Sequence, residues 1–170
     1  MQLTNREWWG LIHGMVLGAT FLLAFTGGLA GLYSLRPELV TPQGVTERMR
    51  RLKTGVVLMA IAAWGTVLTG TWIVYPWYRS SDKSSPKSIL LADENTKGWH
   101  EFAMEWKEHI AWLSPILATA VAFIVVYYGT NLIRHDRVRR TAMTLFVLAF
   151  AFAAVAGTLG ALITKAAPVH

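Results

Sequence analysis

The sequence predicts an all-α membrane protein, a four-transmembrane-helix bundle with both termini on the outer, periplasmic side. Three observations predict it. First, 54% of the 170 residues are hydrophobic and only 15% are charged, and the mean hydropathy is positive at +0.38. Soluble domains of this length rarely combine those values. Second, the apolar residues gather into four runs, approximately 8–35, 54–75, 108–133 and 141–164. Each exceeds the roughly 20 residues that carry a helix across about 30 Å of hydrocarbon, and none alternates as a barrel strand would. Third, the basic residues sort into two unequal sides, which fixes the direction of the runs.

The first inter-run loop holds Arg36, Arg48, Arg50, Arg51 and Lys53, and the last turn holds Arg134, Arg137, Arg139 and Arg140. Against those nine cations stand Glu38, Glu47 and Asp136, which leaves this side at 9 − 3 = +6. The opposite side carries Arg6, Arg79, Lys83, Lys87, Lys97, Lys107 and Lys165 against seven acids, and is neutral. Short loops rich in Lys and Arg stay in the cytoplasm, so the dense side is inner and residues 1–170 form one membrane domain of the bacterial inner (cytoplasmic) membrane type. The +6 excess is thereby explained by topology, and no nucleic-acid partner is needed. The first run is too long for the core of a cleaved leader. Cysteine is absent, which excludes disulfides and thiolate metal sites within the chain.

Each element then follows in order. The first run carries Gly10, Gly14 and Gly18 at four-residue spacing, a stripe that permits close helix approach or clears room for a flat macrocycle. The second run places Trp64 in mid-membrane, where its indole N–H needs a hydrogen-bond partner or a cofactor face. The connection 76–107 is an outer loop with an amphipathic helix over 96–108, for which Thr96 is the candidate cap. Its polar stretch 79–97 contains an Ile-Leu-Leu patch suited to docking on other subunits. Pro115 bends the third run or marks its first turn. Trp8, Trp9, Trp72, Tyr75, Trp77, Tyr78, Trp99, Trp106 and Trp112 crowd the outer interface, a belt heavy enough to imply a partner there as well as lipid headgroups.

The histidines are the only feature that points at chemistry. His13 lies inside the first run, about 6–8 Å below its outer end. His109 stands at the outer end of the third run, and His100 nine residues before it. Imidazoles on two facing helices hold a b-type haem through its iron, so His13 and His109 are the candidate axial ligands. Nine residues of helix turn through about 900°, so His100 and His109 face opposite ways and His100 is the substitute ligand. Met104 offers an axial sulfur. Glu101, Glu105 and His109 share a face, but a dinuclear metal site needs buried carboxylates on other helices as well, and none is present. His135 reads as a solvated turn residue, and no role is read for His170. No phosphate-binding loop, nucleophile elbow or zinc-protease motif occurs, and no span carries a charge at its centre as an ion pump would.

On four spans, with His13 and His109 on the first and third, the chain resembles the small membrane-anchor cytochrome b subunits of respiratory oxidoreductases. The resemblance implies haem b, membrane quinone and other subunits of a membrane complex as partners. It further implies a periplasmic cytochrome or oxidoreductase on the outer face. The expected role is electron transfer within an oxidoreductase complex, without catalysis by this chain. Two other readings stay open: a cofactor-free structural or assembly subunit, and a pigment- or quinone-binding subunit.

Overall fold

The computed structural model describes residues 2–168. His170 lies outside them. Four long apolar helices run through the chain: α1 (Asn5–Ser34), α2 (Pro42–Tyr78), α4 (Trp99–Arg134) and α5 (Asp136–Ala166), and the described residues contain no strand. A short α3 (Pro86–Leu91) lies in the connection between α2 and α4. The protein is an integral membrane protein by the length and composition of these helices.

The helices pack as a ring in which α1 meets α2, α2 meets α4, α4 meets α5 and α5 meets α1. Helices α1 and α4, which carry the candidate ligands, therefore stand on a diagonal.

The helix starts are set by local chemistry. The Thr4 hydroxyl accepts from the Glu7 N–H (3.2 Å), and the Glu7 carboxylate accepts from the Thr4 N–H (2.7 Å), a reciprocal cap that satisfies two free donors. Thr41 caps α2 through the Gly44 N–H (3.1 Å), with Pro42 at the first helical position. The second span consequently begins at Pro42, well ahead of the apolar run at 54. Pro115 lacks an N–H for the carbonyl four residues earlier, and the helix yields ahead of it as a turn at Ala111–Trp112. Gly129 ends the regular part of α4 with a positive φ of 50°, a conformation open to glycine.

The half of the bundle with the arginine-rich turns, labelled inner after the sequence expectation, is packed as a conventional apolar core, and the half with the termini is labelled outer. Leu32, Val56, Met59, Val121, Val125 and Phe146 are fully buried there. A Cβ on Gly28 would stand 2.7 Å from Phe146 Cζ, so this glycine is what lets α1 close on α5. Phe25 stacks on Phe150 at 4.2 Å. Two arginines of this half close a helix end. Arg48 donates to the Ser34 carbonyl and the buried Arg139 to the Leu32 carbonyl, both at 3.2 Å, so two cations cap the last turn of α1. Arg139 is itself paired with Asp136.

A second, smaller core closes the outer end. Tyr78, Leu90, Ala103, Met104, Ile163 and Ala167 are buried together. Leu90 is the centre of the Ile-Leu-Leu patch, so that patch docks on the bundle of its own chain. Thr96 does not cap a helix; its hydroxyl donates to the Leu90 and Asp93 carbonyls and tightens the loop. The segment 96–108 is not a separate surface helix, because from Trp99 onward it is continuous with α4.

Candidate functional site at the outer end of the bundle

Three of the four spans widen beyond α-geometry, and all three do so at the end of the bundle that carries the chain termini. Wider π-type turns occur at Ile12–Val16 in α1, Gly70–Val74 in α2 and Trp99–Met104 in α4. Two of them contain His13 and His100. Such turns are rare inside α-helices and recur at functional sites.

His13 is half-buried and turned toward α2. Its Nδ1 lies 3.0 Å from Thr69 Oγ1. The Thr69 hydroxyl has a single proton and gives it to the Gly65 carbonyl at 2.7 Å. It can therefore only accept from the ring, so His13 carries its hydrogen on Nδ1 and its lone pair on Nε2. That is the tautomer in which an imidazole ligates a metal, with the other nitrogen held by a neighbouring oxygen. Gly70 makes the seat: a Cβ there would come within 2.9 Å of His13 Cε1.

His109 has the same tautomer for a different reason. Its Nδ1 is 2.6 Å from the Glu105 carbonyl, which can only accept, so its Nε2 is open too. Its side chain, however, is exposed on the outward face of α4. His100 faces the other way, as the helical angle requires. It is 8% exposed, with Nδ1 2.8 Å from the Tyr78 hydroxyl and Met104 buried in the same cluster. The three histidines therefore divide between three environments. His13 is seated between α1 and α2, His100 lies in the outer core, and His109 is on the outer surface.

Lys107 of α4 is half-buried. Its stem lies on α5, where a Cβ on Gly160 would stand 2.8 Å from Lys107 Cε. The nearby carboxylates are engaged elsewhere. Arg79 binds Glu105 at 2.5 Å and Glu108 at 3.4 Å, and among the described residues no carboxylate lies within 4 Å of the Lys107 ammonium. Burial works against the Arg79 charge, but Glu108, Tyr75 and Glu105 together outweigh it and raise its pKa above the ordinary value. Glu101 pairs with Lys97 at 3.5 Å. Two turns deeper on the same face of α4, the buried Ser114 hydroxyl has no partner.

Lys107 is the residue that charge counting misplaces, since it reads there as part of an outer loop. The signal that identifies it is periodic. Ala103, Lys107, Ser114, Ala118, Val121 and Val125 fall at spacings of three, four and seven, which is the inward stripe of a helix.

Gly10, Gly14 and Gly18 do not pack against another span: a Cβ on any of them would meet nothing within 4 Å. The flank of α1 beside His13 is open, so the stripe serves as free space and not as a helix contact. Trp64 has found a partner, its indole N–H donating to Thr119 Oγ1 at 3.0 Å, with Trp112 edge-on at 6.1 Å.

A b-haem needs an imidazole with Nε2 free, lateral room and a cation for its carboxylates. Of these, His13 offers the imidazole from between α1 and α2 and Lys107 a half-buried cation, while Gly10 and Gly14 leave open space on the exposed side of α1 and His109 is exposed on the outward face of α4. No family model, curated protein or solved structure matches the chain.

Proposed function

We propose that the chain is a haem b-binding subunit of a membrane oxidoreductase complex, moving electrons between a periplasmic redox partner and the quinone pool or neighbouring subunits. Its side of the bilayer follows from the arginine-rich inner turns, which put both termini outward in a bacterial inner membrane.

The observation that carries the reading is the Thr69–His13 pair, which fixes a ligand-competent imidazole inside the outer end of a membrane bundle. An ionisable group in a span calls for a functional account. A haem iron there would supply one-electron chemistry near the outer surface. The chain's own residues do the rest: Thr69 orients the ring, Gly70 seats it, and the tryptophan belt presents an anchoring surface. His109 and its substitute His100, the other ligands expected from the sequence, do not face His13 in this structure, so His13 is the ligand on which the reading rests.

The test is a reduced-minus-oxidised visible spectrum of the full chain purified in detergent. The expected result is a b-type α band that is lost in His13→Ala. A colourless wild type, or a His13→Ala variant that keeps the band, would overturn the reading. His109→Ala then divides the remainder. Loss of the band makes His109 the second ligand, and retention makes His13 the sole histidine ligand.

A further inference from the structure

We infer that the groove between α1 and α2, at the end of the bundle with the arginine-rich turns, binds an anionic phospholipid, its phosphodiester on Arg48 and Arg51 and an acyl chain along the groove. The inference goes beyond the haem reading and is independent of it, because it concerns the opposite end of the molecule.

The groove is a cavity of about 280 Å³, walled by Leu23, Ala24, Gly27 and Leu52 and headed by Arg48 and Arg51. The glycines along it play two parts. Gly31 draws the helices together, since a Cβ there would stand 3.2 Å from Leu52 Cδ1. Gly27 lies one turn further along α1, is exposed, and a Cβ on it would meet nothing within 4 Å. The groove is therefore closed at its floor by packing and open on its flank to the membrane. Leu23 forms its far rim and is 76% exposed. From Gly31 to Leu23 the helix advances about 12 Å, room for a length of extended hydrocarbon.

The groove also crosses the boundary between hydrocarbon and headgroups. The apolar run of α2 begins at 54, and Arg51 and Arg48 stand one and two turns beyond it. Arg51 gives its Nε hydrogen to Glu47 at 2.9 Å, and among the described residues its two terminal amino groups have no partner. Arg48 spends one terminal nitrogen on the Ser34 carbonyl at 3.2 Å and keeps the other. Glu47 is shared with Arg50, so Arg48, Arg50, Arg51 and Glu47 together carry 3 − 1 = +2. Cationic donors with spare N–H groups thus stand at the mouth of an apolar channel.

That arrangement selects the ligand chemistry. A flank open to hydrocarbon is filled by lipid tails, and the arginines decide which headgroup stays. The planar guanidinium fork matches the paired oxygens of a phosphodiester. Basic pockets between spans on the arginine-rich side of a membrane hold anionic headgroups for the same reason. A zwitterionic lipid brings its own ammonium to a cluster that is already positive, so a headgroup with net negative charge is preferred. A span of another chain would fill the apolar part of the groove and leave the free guanidinium hydrogens unanswered.

The experiment titrates the full chain in detergent with phosphatidylglycerol and with phosphatidylcholine of identical acyl chains, and reads the first bound lipid by native mass spectrometry. Wild-type protein should prefer phosphatidylglycerol at least about fivefold, a comparison that needs no variant to fold. Arg51→Gln removes a surface charge that otherwise meets only Glu47, so folding is not at stake. It should weaken phosphatidylglycerol about fivefold, the contribution of one arginine near a membrane surface, and leave phosphatidylcholine nearly unchanged. Gly27→Leu adds a side chain where a Cβ meets open space, so it should weaken both lipids while the unfolding midpoint holds. Glycerophosphoglycerol, the same headgroup without tails, should not displace the lipid at equal concentration. Equal wild-type affinities for the two lipids, or no lipid bound, overturn the inference. Unchanged phosphatidylglycerol affinity in Arg51→Gln removes the headgroup contact, and unchanged lipid affinity in a folded Gly27→Leu removes the groove; either result overturns it too. Displacement by glycerophosphoglycerol would reduce the site to a phosphate contact and end the proposal of a lipid.

Discussion

The inner and outer halves of this bundle use glycine, arginine and helix geometry for opposite purposes. In the inner half no wide π-type turn occurs among the described residues, Gly28 admits Phe146, and Arg48 and Arg139 close the carbonyls at the end of α1. In the outer half three spans open into wider turns, and Gly70 and Gly160 admit an imidazole and the stem of a lysine. One half holds the helices together, and the other spaces them around polar side chains. The difference teaches that a glycine in a span has to be read by what occupies the space it leaves.

The widest way to test the contrast is to empty the inner core. Phe146 is fully buried against Gly28, Phe25 and Val56. In a bilayer the lipid tails accept an unfolded side chain, so the packing contribution dominates the loss. Phe146→Ala should cost about 3 kcal/mol, read as a shift of the unfolding midpoint in mixed micelles. A cost below about 1 kcal/mol would mean that the inner half does not hold the bundle.

A matched pair of substitutions sharpens it. Gly28→Ala and Gly160→Ala introduce overlaps of nearly equal size, 2.7 Å to Phe146 Cζ and 2.8 Å to Lys107 Cε. The first meets an aromatic ring locked in the core, and should cost about 1–3 kcal/mol. The second meets the flexible stem of a lysine, which can swing aside, so stability should change by less than about 0.5 kcal/mol. Equal costs in the same unfolding assay would erase the distinction between the halves.

The outer half should fail in binding before it fails in folding. Thr69→Val keeps the shape of the side chain and removes the oxygen that orients His13. Groups that orient a metal-bound imidazole contribute about 10–100-fold to affinity. Titration of the variant with ferric haem should show a loss of about tenfold, with its unfolding midpoint close to wild type. Wild-type affinity in the variant would remove Thr69 from the site.

The same contrast explains what the sequence made legible. Four spans follow from hydropathy alone, because a bilayer demands length and apolarity and little else. Their extents do not, because caps decide where helices start: Thr41-Pro42 begins α2 in a charged segment that hydropathy excludes. The segment 96–108 looked like a surface helix because Glu101, Glu105 and Glu108 dominate its composition. Lys97 and Arg79 neutralise that face, leaving the stripe through Ala103 and Lys107 to turn inward. His13 was legible as a polar residue in an apolar run. The opposite directions of His100 and His109 followed from their spacing, but which of the two turns inward did not, since that depends on the distant Tyr78, whose hydroxyl meets the buried His100.

Trp64 sits at the boundary between the halves and carries the smallest expected effect. Sequence reasoning left it two uses, a hydrogen bond or a cofactor face, and its indole N–H is spent on Thr119 at 3.0 Å. Thr119 in turn donates to the Pro115 carbonyl at 2.7 Å, one of the groups near the break in α4. Trp64→Phe removes the donor and keeps most of the ring. Hydrogen bonds between membrane helices are worth about 0.6 kcal/mol on average. The loss should therefore be about that size in unfolding, with haem affinity unchanged. A larger loss of binding than of stability would draw Trp64 into the site and move the boundary between the halves inward by more than a helical turn.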